Sequence, residues 1–148
     1  MKFVPLVLAT GAAVALAGTG TAAAVSGPSC NLASAKSVKS ALGITVGSPS
    51  VTKNGPVTVC EFASTSPLLV RFETNESASM FAAGQKSFTQ HGQPTKTVNG
   101  LGTKAYSSTF AGKTNTIVVL KNKTELLITA TEPLAKLEAL AKLILPSL

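Results

Sequence analysis

Residues 104–131 read KAYSSTFAGKTNTIVVLKNKTELLITAT, and this stretch decides the fold. It divides into three strand patterns: Lys104 to Phe110, Thr116 to Lys121 and Glu125 to Thr131. Ala111-Gly112-Lys113 and Asn122-Lys123 make the turns, and connections this short join antiparallel neighbours. Ile117-Val118-Val119-Leu120 is apolar at every position, and Leu126-Leu127-Ile128 repeats the pattern. A sheet with one wet face alternates instead, so both faces need cover near these strands.

Upstream, Leu32, Ala35, Val38 and Leu42 recur at helical spacing, with Asn31 or Ser34 as cap and Gly43 as stop. Residues 44–56 are rich in Gly, Pro, Ser and Thr and read as loop, with a brief edge strand at Ile44-Thr45-Val46. Val57 to Ala63 alternates as a strand, Ser64 to Pro67 turns, and Leu68 to Glu73 returns. A second helix follows, capped by Thr74 or Asn75, with Met80, Phe81, Gly84 and Phe88 as its apolar stripe. Gln93 to Gly102 is loop again. The last helix has Thr131 as cap, Pro133 in its first turn, and Leu134, Leu137, Leu140, Ala141 and Ile144 on one face. The expected architecture is α+β, one domain, order α-β-β-α-β-β-β-α, with an antiparallel sheet of about five strands and three helices. Three amphipathic helices can supply that cover, two on one side and one on the other, but they are expected mostly on one face. The sheet around Ile117 to Leu120 is then a partner surface, with Ile117 and Val119 as its candidate residues.

The first residues read as an export signal. Lys2 gives a positive start, Phe3 to Ala17 an apolar run, and Ala22-Ala23-Ala24 a small-residue cleavage site after Ala24. The expected division is signal peptide 1–24, linker 25–29 and exported domain 30–148, secreted or associated with the cell envelope. Membrane contact is expected only through the signal segment before cleavage. Cys30 and Cys60 are the two cysteines, and export places them in an oxidising compartment, so a disulfide is expected. Gly27-Pro28-Ser29 before Cys30 does not form a lipidation signal.

Lys2 is the one charged residue in the signal segment, so residues 25–148 carry 12 basic and 6 acidic side chains, a net +6. Arg71 is the one Arg, the rest being Lys, and Tyr106 is the one Tyr with no Trp. Solvated point charges without guanidinium forks or stacking platforms favour loose attraction to anionic surfaces and exclude nucleic-acid reading. The chain has no Asp, and His91 is its one His, which removes a Ser-His-Asp relay. The six Glu are scattered, so neither metal ligands nor paired catalytic carboxylates are recognisable. No cofactor is expected. Gly100-Leu101-Gly102-Thr103-Lys104-Ala105 matches G-x-G-x-x-A but precedes a strand pattern, so its glycines read as hinges. Lys113, Lys121 and Lys123 gather in the hairpin turns, where they serve either edge protection and solubility or contact with an anionic envelope polymer or lipid head group.

Several fragments together resemble a known type. These are Cys30-Asn31-Leu32, Ala35-Lys36-Ser37-Val38 leading to Ala41-Leu42-Gly43, Cys60-Glu61-Phe62, and Val98-Asn99-Gly100-Leu101-Gly102 followed by Ala105-Tyr106. They are similar to small secreted proteins and lipoproteins of actinobacteria classed as domains of unknown function. The resemblance implies a compact α/β domain outside the cytoplasmic membrane with Cys30 paired to Cys60, and it supplies no catalytic residues. The functional expectation is a non-catalytic exported binding domain, its partner an envelope protein or an anionic envelope polymer. The alternatives are a small hydrolase using an exposed Ser with Glu support, or an inhibitor of an extracellular enzyme presenting Ser48 to Pro56 or Thr109 to Thr114.

Overall fold

The computed structural model describes residues 27–148. Residues 1–26, which hold the segment read as an export signal and the first residues of the expected linker, lie outside the described residues. The described residues begin with a 3-10 turn, Cys30–Ala33, and α1 (Ala35–Leu42). There follow β1 (Ser50–Asn54), β2 (Val57–Phe62), β3 (Leu68–Thr74) and α2 (Ala78–Gln90). Then come β4 (Thr95–Thr97), β5 (Lys104–Phe110), β6 (Thr114–Lys121), β7 (Thr124–Ala130), α3 (Leu134–Ile144) and a closing 3-10 turn, Leu145–Ser147. The strands form one antiparallel sheet in the order β1-β2-β3-β7-β6-β5-β4.

The α+β class, the three helices and the antiparallel sheet stand as expected, but the sheet has seven strands, not about five. The two additional strands are edges. β1 is exposed at all five positions, so it carries no apolar alternation. It falls at Ser50–Asn54, not at Ile44–Val46, because Gly55, at φ 55°, turns the chain back onto β2. β4 has three residues, too few for any period. The observed order is therefore α-β-β-β-α-β-β-β-β-α. Of the two expected caps of α1, Ser34 is the one used, accepting from the Ser37 N–H at 3.2 Å. Ser77, not Thr74 or Asn75, caps α2 through the Met80 N–H at 3.2 Å. Thr74 is taken by the last rung of β3, and Asn75 has φ 66°, outside the cap conformation. Pro133, rather than Thr131, precedes the first turn of α3.

The helices divide two to one. α1 and α3 pack together over one face, burying Val38, Leu42, Leu137, Leu140 and Ile144 against Cys60, Val70, Phe72, Ile117, Val119, Leu126 and Ile128. Alternate residues of the same strands, Val118 and Leu120 with Tyr106, lie on the other face beneath α2, which contributes Phe81 and Phe88. Both rings close on Tyr106, with centroids 5.1 and 5.6 Å away. Strands β1–β3 and β5–β7 are related by an approximate half-turn about an axis normal to the sheet between β3 and β7. Such an axis preserves faces, so the helices break it: α2 crosses to the opposite face, and α3 fills the place beside α1.

A disulfide joins Cys30 to Cys60 and so ties the first turn to β2. The closed loop spans 30 residues, for which the chain-entropy model gives about 3.6 kcal/mol as an upper figure. Gly100 and Gly102 have φ 80° and 56° and turn the chain into β5, as the sequence reading expects. A Cβ on Gly102 would stand 2.5 Å from the Leu120 carbonyl oxygen and 2.6 Å from Val119 Cγ1.

Two outcomes follow. Gly102→Ala should lower the urea-unfolding free energy by about 2–3 kcal/mol, since the clash is with backbone and φ is left-handed. Replacing both cysteines by Ala should cost up to about 3.6 kcal/mol in the same titration, and the native protein should weigh about 2 Da less than its reduced form.

Candidate functional site

The face that carries α2 is covered on one half only. On β2, Thr58, Cys60 and Phe62 point to the α1–α3 side, leaving Val57, Val59 and Glu61 on the opposite face. On β3, Leu69, Arg71 and Glu73 occupy that same face. Val57, Val59 and Leu69 are half-buried and Glu61 is exposed, and among the described residues no helix lies over them. At the upper end the surface deepens into a trough of about 480 Å³ lined by Glu61, Ala63, Pro67, Leu69, Thr129 and Thr131, with Ser50 at its edge. A volume of this size is ordinary for a ligand or side-chain seat.

Among the described residues the trough contains one ionisable group, Glu61. Ser50 faces Glu61 directly in the β1–β2 register, which brings together a Ser and a Glu. No imidazole joins them: His91 sits at the end of α2, with Nδ1 2.7 Å from the carbonyl of Ser87 in its own helix. A hydroxyl and an exposed carboxylate without a relay base do not make an activated nucleophile.

Lower on the same face lies a charged cluster. Arg71 lies 3.2 Å from Glu73 and hydrogen-bonds Glu125 on β7, while its Nε is buried without a partner among the described residues. Glu76, just before α2, is buried, and its backbone N–H donates to the Lys123 carbonyl at 2.9 Å. Burial, then the neighbouring Glu125 and Glu73, pushes the Glu76 carboxyl above its ordinary range against the pull of Arg71. Burial likewise raises Glu125, more than its hydrogen bond to Arg71 lowers it. The Tyr106 phenol is pushed up, chiefly by burial beneath α2. Three carboxylates thus share one guanidinium at the foot of the helix. Among the described residues, no three His, Cys, Asp or Glu side chains converge as a metal-ligand group.

The residues singled out from sequence are dispersed. Ile117 and Val119 are 0 % exposed beneath α1 and α3, so neither belongs to a surface. Helices on both faces close the sheet area that helices on one side would have left open. Lys113 and the pair Lys121 and Lys123 lie at opposite ends of β6, separated by roughly 23 Å of strand. The Lys121 Nζ donates to the Leu145 carbonyl, which ties it to the C-terminal turn. These three lysines form no single patch. Of the loops considered for an inhibitor, residues 48–56 contain edge strand β1 and are therefore not a free loop. The surface that is present, Val57, Val59, Leu69 and Arg71, alternates with core residues on the same strands. Its signal was the period of two itself, with no helix assigned above it.

A carboxyl raised in the fold holds its proton more tightly than in the unfolded chain. The Glu76 and Glu125 contributions are therefore fully present below the ordinary value of 4.5 and are lost as pH rises through the raised values. Glu76→Gln should remove its share, so thermal melts at about pH 5 and about pH 7.5 should differ less than in the parent protein.

No family model matches the chain, and neither a curated protein nor a solved structure matches it.

Proposed function

We propose that this chain is an exported, non-catalytic interaction domain of the cell envelope or extracellular space, and that the open half-sheet over β1–β3 is its contact surface. The observation that carries the reading is the uncovered row Val57, Val59 and Leu69 beside α2. These aliphatic side chains stand half-exposed on a rigid sheet, and the trough adjoining them is lined by apolar and hydroxyl groups. Apolar residues concentrated on one such surface mark a contact site more often than chance exposure does. The Cys30–Cys60 disulfide supports an oxidising compartment, and the likeness to small exported actinobacterial domains points the same way. The trough's single ionisable group favours binding over turnover. An envelope protein suits this surface better than an anionic polymer, because the lysines lie elsewhere and Glu61 stands at its rim.

The test is affinity capture from envelope extract with the oxidised protein and its Val59→Lys and Leu69→Glu variants as parallel baits. Both substitutions lie on the open face, outside the core. A saturable protein partner retained by the parent and released by both variants is the expected outcome. Partners retained equally by all three baits would place the contact elsewhere and overturn the reading.

A further inference from the structure

We propose that the open half-sheet seats helix α2 of a second copy of this chain, giving a two-fold dimer joined face to face. The proposal rests on the reading of this half-sheet as a contact surface, and it names the partner. The face is half ridge and half groove: α2 stands over β5–β7, and β1–β3 lie bare beside it. A half-turn about an axis parallel to the strands, set above the β3–β7 boundary, places each α2 over the other copy's bare half. The two copies are then related by one self-complementary patch, as a closed dimer requires.

The same half-turn preserves height along the strands, and the register fixes which groups meet. Gln85 of α2 donates from Nε2 to the Thr95 hydroxyl at 3.1 Å. Thr95 pairs with Ser108, Ser108 with Thr116 and Thr116 with Thr129. Thr129 pairs with Leu69, and Leu69 with Glu61. Glu61 therefore stands level with the start of the last two turns of α2, where Lys86 is exposed. Lys86 of each copy faces Glu61 of the other, twice over.

The helix suits this position. With Phe81, Gln85 and Phe88 turned to its own sheet, helical spacing puts Ser79, Ala83, Lys86 and Gln90 on the outer face. Ser79 and Ala83 are small enough for the helix to approach Val57 and Val59. Met80, 51 % exposed, lies on the flank opposite Gln85 and so faces the axis, where it meets its own symmetry mate. Three strands at a spacing of about 4.8 Å and roughly 20 Å long give about 290 Å² of bare sheet. With the matching helix footprint, the dimer would bury about 1,150 Å² in all, in the range of weak, transient interfaces. The association is accordingly weak and reversible.

Sedimentation equilibrium of the oxidised protein at micromolar concentrations tests this. A monomer–dimer equilibrium is expected. Val59→Lys and Met80→Glu should each weaken it about tenfold or more, and Glu61→Lys and Lys86→Glu by about fivefold. Combining the two charge reversals should restore association, which a merely damaged fold would not do. A protein monomeric at every concentration overturns the dimer, as does a dimer indifferent to Val59→Lys and to the charge reversals. If a monomeric protein still captures an envelope partner that Val59→Lys releases, the contact surface stands and its self-pairing alone is lost.

Discussion

Strands β6 and β7 are apolar on both faces, and that demand for cover organises the molecule. Ile117, Val119, Leu126 and Ile128 face one way, and Val118, Leu120 and Leu127 face the other. An antiparallel sheet built by hairpins supplies no helices of its own, so flanking segments must fold back onto each side. α1 and α3 combine on the first face, where the disulfide fastens the turn before α1 to β2. Among the described residues only α2 is left for the second face, and its thirteen residues span half a seven-stranded sheet. The open surface among the described residues is therefore a consequence of where the central strands need shielding, with α2 placed over β5–β7.

The foot of α2 shows how closely this second layer is drawn. Its chain leaves β3 through Asn75 in the left-handed region, so the helix can turn over the sheet within three residues. That tight route buries Glu76 near Glu73 and Glu125, with Arg71 as the one cation in the ion-pair network. Phe81 and Phe88 then grip Tyr106, so the helix is held by aromatic rings in its middle and by a strained electrostatic balance at its base.

The central features were legible because their signals are periodic or covalent. The β5–β6–β7 meander, the turns at Asn122-Lys123 and Gly112, and the helical spacing of α1 and α3 all follow from residue pattern and turn chemistry. The edge strands were not legible. β1 is wet on every side chain, and β4 is shorter than any alternation can register. The choice of face for α2 was hidden too, because Phe81 and Phe88 fit either side of a sheet until the crossing of the chain is known. That choice misplaced the surface: Ile117 and Val119 looked available, whereas Val57, Val59 and Leu69 looked like ordinary strand residues. The lysines misled for a different reason, since nearness in sequence across a hairpin puts Lys113 and Lys121 at opposite strand ends.

The pairing of β3 with β7 joins residues such as Val70 and Ile128, which are far apart along the chain. Every other strand pair is made by neighbours in sequence. The β1–β2–β3 meander can thus assemble early but must hold the β3 edge open until the C-terminal hairpin has emerged. Closing so long a loop is entropically slow, and a waiting edge of Leu68, Val70 and Phe72 is adhesive. The folding chain is therefore most vulnerable to misassociation just before its last strand arrives, and the exposed β3 edge is where a second unfinished chain would attach.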